Sequence, residues 1–281
     1  MTAPAGYLQP FQNDGYVVFP ILFSDTELAI LKDAQAVELA VEGPRRVVEN
    51  DGKTVRSVYG SHETNEVLRR LACHPRLVEP ARRMLKDEVY VYQFKINAKL
   101  AFGGDVWEWH QDYIFWQQED GMPKPNAVTA AIFLDDVTEF NGPLFLIPGS
   151  HKEGVLSPLP LEKRLTSAGG PSPYEDSPEW VSNLTAQLKY SLDKECVARL
   201  VDSYGMVAPK GRKGTTLFFD PNMAHGSPGN ISPFDRMLIL ITYNSVANVP
   251  MPMPGKEPRP EFLCSRDHRP IVPEADDVLV S

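Results

Sequence analysis

The clearest pattern in the chain is an alternation at residues 89–97, where Tyr92, Phe94 and Ile96 fall on one side and Gln93, Lys95 and Asn97 on the other. A period of two predicts a strand with one face in a core and a polar face turned elsewhere. Shorter apolar runs predict further strands at 107–115, 127–134, 144–147, 215–219 and 237–243. Helices are expected mostly near the start. Ser24-Asp25-Thr26-Glu27 reads as a capping box opening a helix over 25–40, and two more are expected at 65–73 and 76–85. Gly (19) and Pro (26) punctuate these runs, which suits a mainly β architecture with many turns. Residues 152–208 differ from their flanks, with a Pro- and Gly-rich start and a helical stretch near 179–188. Such an insertion between strands is expected to be a lid within one domain spanning 1–281. The Pro-rich stretch from Val249 to Phe262 is expected to wrap the surface in extended form.

Charge narrows the function. The chain has 28 Lys+Arg against 37 Asp+Glu, a net charge of −9. That balance argues against a nucleic-acid partner, which needs a basic stripe, and against a polybasic membrane anchor. No apolar run approaches the roughly 18 residues of a membrane span. The first residues show neither a basic n-region nor an apolar h-region, so a cytoplasmic protein without a signal peptide is expected. Cys73, Cys196 and Cys264 are odd in number and widely spaced, and are expected to be reduced thiols.

Two histidines stand out by context. On a strand, His110 and Asp112 would share a face while Gln111 points away. An imidazole and a carboxylate on one face supply two ligands of a 2-His-1-carboxylate iron site. An ordinary hydrogen-bonded pair has the same spacing. His225 is a candidate third ligand, brought near if distant strands become neighbours. Arg236 follows eleven residues on and opens an apolar strand. A buried arginine there needs a carboxylate. The residues alone leave two candidates: the far end of an oxo-dicarboxylic acid, or a protein acid such as Asp235 or Glu139. Trp107 and Trp109 share the parity of Gln111 and are expected to point away from His110 into a core.

The full set of motifs carries more. Trp109-His110-Gln111-Asp112-Tyr113, Trp116, Glu119-Asp120-Gly121-Met122-Pro123, Asn141-Gly142-Pro143-Leu144 and Ile147-Pro148-Gly149-Ser150-His151 are joined by His225 and Arg236 at their spacing. Together they resemble the phytanoyl-CoA dioxygenase family of non-haem Fe(II), 2-oxoglutarate-dependent oxygenases over about residues 11–270. The motifs from Trp109 to His151 are similar to its ectoine hydroxylase branch, and the stretches 93–97, 101–105, 136–143 and 241–244 are similar to leucine 5-hydroxylases acting on free amino acids.

The resemblance implies a double-stranded β-helix, a cupin-like jelly roll, flanked by N-terminal helices. It implies His110, Asp112 and His225 as catalytic iron ligands. Arg236, Ser227 and Asn97 are implied for 2-oxoglutarate, Gln93 and Trp116 for the substrate. His62, which follows Arg56 in sequence, is a further substrate-binding candidate on its position. The co-reactants implied are Fe(II), 2-oxoglutarate and O2, with ascorbate as a helpful reductant. The implied reaction is hydroxylation of an unactivated C–H bond, with succinate and CO2 as co-products. A carboxylate at Asp112 favours hydroxylation over halogenation, since related halogenases leave that position empty. The expected substrate is a free, leucine-like L-amino acid. Alternatives are ectoine or another cyclic amino-acid derivative, and, in another class, a non-catalytic metal-binding cupin-like sensor. The oligomeric state stays open.

Overall fold

The computed structural model describes residues 6–157, 179–182, 184 and 188–280. Its frame is two antiparallel sheets. The larger has the order β1 (Tyr16–Phe19), β8 (Thr216–Phe219), β6 (Ala127–Phe133), β10 (Arg236–Ser245), β4 (Val89–Lys99), β3 (Val55–Tyr59), β2 (Arg46–Val48). The smaller has the order β5 (Trp107–His110), β9 (His225–Ser227), β7 (Phe145–Leu146). This is the mainly β, jelly-roll architecture expected.

Side-chain parity assigns the two faces of the large sheet. On β4, Phe94, Ile96 and Ala98 join Ile239, Ile241 and Tyr243 of β10 in one apolar cluster. Helices α1 (Leu8–Asp14), α2 (Asp25–Ala40), α3 (Glu66–Ala72) and α4 (Pro75–Leu85) cover that side, through residues such as Leu31, Leu68, Leu71 and Val78. The capping box of α2 forms as expected: Ser24 Oγ accepts from the Glu27 amide at 3.3 Å and Glu27 accepts from Ser24. The other face looks toward the small sheet, with Leu238, Leu240, Leu217 and Ala131 packing on Leu146 of β7. Gln93, Lys95, Asn97 and Arg236 share this inner face, because they alternate with the helix-side residues.

The strand expected over 107–115 stops at His110. Gln111 is still extended (φ −114°, ψ 141°), and helix α5 runs over Asp112–Asp120. Asp112 sits in its first turn, where a carboxylate complements the helix dipole. Gly121 ends it at φ 73°, and a Cβ there would lie 2.1 Å from the Met251 carbonyl oxygen. Only glycine fits this stop.

Of the insertion expected at 152–208, residues 158–178, 183 and 185–187 lie outside the described residues, so the expectation of a lid falls partly on them. Around them, α6 (Glu179–Ser182) is shorter than the helix expected over 179–188. Helix α7 (Lys194–Tyr204) buries Leu200 against Ile147, Leu156 and Ala224. The stretch 249–262 runs without helix or strand up to a turn at its end and is largely exposed, with Arg259 buried, and the chain beyond it is anchored: Leu263 packs with Val47 and Tyr59, and Ile271, Val278 and Leu279 join the helix-side core. Among the described residues no helix is long and apolar enough to cross a membrane. The three cysteines are free.

Candidate active site

Strand β5, strand β9 and the start of α5 bring His110, His225 and Asp112 together. His110 and His225 face each other across the β5–β9 pair. Asp112 follows through the extended Gln111, so the i, i+2 relation survives although a helix begins there. One donor atom from each lies within 4.8 Å of the others, and all three residues are buried. His110 Nε2 is 3.7 Å from Asp112 Oδ1, and His225 Nε2 is 4.0 Å from Asp112 Oδ2.

Backbone carbonyls set both tautomers. His110 Nδ1 lies 2.6 Å from the Glu108 oxygen, and His225 Nδ1 lies 2.9 Å from the Met223 oxygen. A carbonyl only accepts, so each Nδ1 carries the hydrogen and each Nε2 lone pair turns toward Asp112. Burial pushes His225 down to about 3, aided by His110 and against Asp112, so its ring is neutral at physiological pH. Burial would raise the Asp112 carboxyl, but Lys95, with His225 and His110, holds it well below the usual carboxylate range. Two imidazole nitrogens and one carboxylate form a donor set suited to a divalent iron.

Arg236 lies behind this cluster with 1% of its surface exposed. Nε donates to the Gly142 oxygen at 3.1 Å and Nη1 to Asn97 Oδ1 at 3.2 Å, while Nη2 is buried without a partner. Neither Asp235 nor Glu139 takes it: Asp235 accepts from the Ala101 amide and Glu139 pairs with Lys210. Burial pushes Arg236 down to about 9, against the pull of Asp135. Its guanidinium lines a cavity with Asn97, Lys95, Trp107, His110, His225 and Leu144. An orphaned, buried, forked donor beside a three-ligand cluster fits a carboxylate whose other end reaches the metal. Ser227 is buried two residues past His225 on β9, and its Oγ lies 3.4 Å from the Gly142 oxygen. Asn97 orients Arg236.

A second cavity opens on the other side of His110 and Asp112. It is lined by Gln93, Lys95, Trp107 and Trp116, with Tyr59, Phe115, Leu184, Leu188 and Arg259 completing the wall. Gln93 Nε2 donates to the Leu263 oxygen at 2.8 Å, which fixes the amide. Arg259 gives Nε and Nη2 to the two oxygens of Asp120, at 2.8 and 2.6 Å, leaving Nη1 outside the pair.

Trp107 corrects the parity argument. Its partner is Ser227, and His110's partner is His225, so three steps on β5 match two on β9. This bulge puts Trp107 and His110 on one side, where Trp107 lines both cavities. Trp109 packs on Phe145 away from the cluster, as expected. His62 does not reach either wall. It stacks on Phe94, 5.2 Å between centroids, on the opposite face of β4 from Gln93. Lys95 was visible on the face of Gln93 and Asn97. Arg259 carried no local signal, since a Pro-rich segment brings it back to the cavity from far along the chain.

Residues 11–238 match the phytanoyl-CoA dioxygenase (PhyH) family. An L-proline trans-4-hydroxylase of Streptomyces griseoviridis is 39% identical over 96% of this chain and 95% of its own. An ectoine dioxygenase of Sphingopyxis alaskensis is 37% identical over 91% of this chain and 81% of its own. The crystal structure of EctD from S. alaskensis with 2-oxoglutarate and 5-hydroxyectoine superposes with a TM-score of 0.77 at 34% identity, covering 94% of this chain and 84% of that one. The same protein has been solved with bound Fe.

Proposed function

This chain belongs to the phytanoyl-CoA dioxygenase family, and from that premise we propose that it hydroxylates a free amino acid in the cavity between Trp116 and Arg259. It is an Fe(II)/2-oxoglutarate-dependent dioxygenase. His110, Asp112 and His225 would hold the iron, and Arg236, oriented by Asn97 and beside Ser227, would hold the far carboxylate of 2-oxoglutarate. Iron so held, with 2-oxoglutarate and O2, supplies the oxidising power to place a hydroxyl on an unactivated carbon, with succinate and CO2 as co-products. The observation that carries this assignment is the buried, unpartnered Arg236 Nη2 in a cavity that also reaches His110 and His225.

The protein's part is orientation and exclusion of water. Arg259 Nη1 is aimed at a substrate carboxylate, with the bidentate Asp120 pair holding the guanidinium in place. Gln93, its Nε2 pinned by Leu263, has Oε1 to accept from a substrate N–H. Phe115, Trp116, Leu184 and Leu188 supply apolar walls for a carbon skeleton held beside His110 and Asp112. This is a cavity for a small zwitterion with an aliphatic body, a leucine-like amino acid or L-proline. Ectoine is the second reading, supported by the structural likeness to EctD.

The test is an anaerobically loaded enzyme, started with O2, against L-leucine, L-proline, other free amino acids and ectoine, read by mass spectrometry. A product heavier by one oxygen, with matching succinate, is the expected outcome. No succinate above a metal-free control, with iron shown to be bound, would overturn the hydroxylase reading and leave a metal-binding sensor.

A further inference from the structure

Arg56 has no solvent exposure and takes no part in the chemistry above. Its burial on the inner side has a local cause. The pairing of β2 with β3 slips from Val47–Ser57 to Val48–Val55, so Arg56 is the extra residue of a bulge. The bulge turns its guanidinium under the active site. The guanidinium carbon lies 3.7 Å from the centroid of the Trp107 ring, which lines both cavities. Nη2 donates to the Val106 oxygen at 3.1 Å, at the entrance to the strand that delivers His110. Nη1 donates to Glu49 Oε2 at 2.8 Å. Nε donates to the Leu184 oxygen at 3.2 Å, and Leu184 itself lines the substrate-side cavity.

A buried ion pair is a poor source of stability, and apolar residues of similar volume often do as well. What this one supplies is geometry. The planar fork reaches three segments at once while its face stacks on an indole, which an ammonium cannot reproduce. We propose that Arg56 is a positioning residue that holds the Leu184 segment over the substrate cavity in register with Trp107 and the metal-bearing strand. The seating of Leu184 at the substrate cavity and the placement of Trp107 beside His110 are then set by one side chain. The kinetic part of this inference rests on the hydroxylase reading; the exchange measurement below does not.

The test compares wild type with Arg56→Lys, which keeps the charge and loses the fork, and with Glu49→Gln, which loosens the guanidinium without removing it. Hydrogen exchange is followed by mass spectrometry in peptides covering 179–192 and, as a core reference, 236–245. In Arg56→Lys, exchange in 179–192 rises at least fivefold while 236–245 is unchanged. Glu49→Gln moves the same way by less. In the iron- and 2-oxoglutarate-loaded enzyme, with L-proline or ectoine as probe and ascorbate present, the KM for the probe rises at least tenfold. The KM for 2-oxoglutarate stays within twofold, and oxygenated product per succinate falls below half.

Unchanged exchange in 179–192, or an equal rise in both peptides, would overturn the proposal whatever the substrate. So would equal changes in both KM values with the product ratio intact. If Arg56→Lys does not fold, Glu49→Gln decides by the same readings. If wild type releases no succinate above the metal-free control with any substrate of the panel above, the hydroxylase reading fails alone and the exchange result still stands.

Discussion

Replacing Arg236 with glutamine separates what this residue does for the fold from what it does for the co-substrate. In the protein alone, Arg236→Gln loses bonds to the Gly142 oxygen and Asn97 Oδ1. At about 1 kcal/mol each, that costs about 2 kcal/mol. Against this, it removes a buried cation whose Nη2 has no partner and which burial pushes down to about 9. The two effects oppose, so the melting temperature of the unliganded variant should stay within about 5 °C of wild type. Binding has no such offset. Removing one partner of a buried carboxylate pair costs about 3–5 kcal/mol, and each 1.4 kcal/mol is about tenfold, so the dissociation constant should rise by about two to three and a half decades. At a concentration about 100 times the wild-type dissociation constant, 2-oxoglutarate should stabilise wild type by about 2.7 kcal/mol, or about 5–10 °C. The variant should show about 1 °C or less at the same concentration. Scanning fluorimetry without O2, with Mn(II) in place of iron, reads this without turnover. An undiminished shift in the variant would refute the assignment of Arg236 to the far carboxylate.

Asp112→Ala should lower hydroxylation to the metal-free background; wild-type turnover in that variant would place the anionic ligand elsewhere. His62 is pushed down to about 4 by burial, with Arg45 adding to it, so its stabilising neutral state is present above pH 6.5 and lost as pH falls toward 4. The unfolded chain takes up that proton first, so His62→Phe, which keeps a ring on Phe94, should flatten the loss of stability between pH 6.5 and 4 by up to about 1.4 kcal/mol per pH unit. Urea unfolding curves of the two proteins with parallel pH slopes would show that His62 is not the group. Gly121→Ala puts a Cβ 2.1 Å from the Met251 oxygen at φ +73°, whereas Gly255→Ala meets nothing within 4 Å at φ +76°. The second should cost about 1 kcal/mol and the first at least twice that, measured as melting temperatures; equal losses would mean the loop at Met251 yields freely.

The parts of the site legible in sequence were those carried by residue type and short spacing. His110 and Asp112 kept their relation although strand gave way to helix between them, because Gln111 stays extended. Lys95 lay in view on the face of Gln93 and Asn97, but its ammonium between two cavities depends on Trp107 and His110 arriving from another sheet. Trp107 was misread because alternation assumes an unbroken strand, and a bulge leaves no mark in the pattern of apolar residues. Arg259 was out of reach for a different reason: a Pro-rich stretch without helix or strand brings it back, and no periodicity governs that. The fold was easier, since alternation on β4 and β10 divides helix side from inner side residue by residue.

The bulge between Trp107 and His110 ties the hydrogen bond that orients a metal ligand to the number of residues in this strand more than to their identities. Glu108 supplies a carbonyl to His110, and any residue but proline offers the same backbone there, so substitutions at that position keep this bond while giving up the one the Glu108 carboxylate accepts from the Leu188 amide at 3.1 Å. Deleting it would leave Trp107 and His110 two apart, which plain alternation also keeps on one side, but would take the Glu108 carbonyl away from His110 Nδ1. A gap of one residue in this segment, in a laboratory variant or between relatives, should therefore mark a differently held His110 ring even where every metal ligand is still in place.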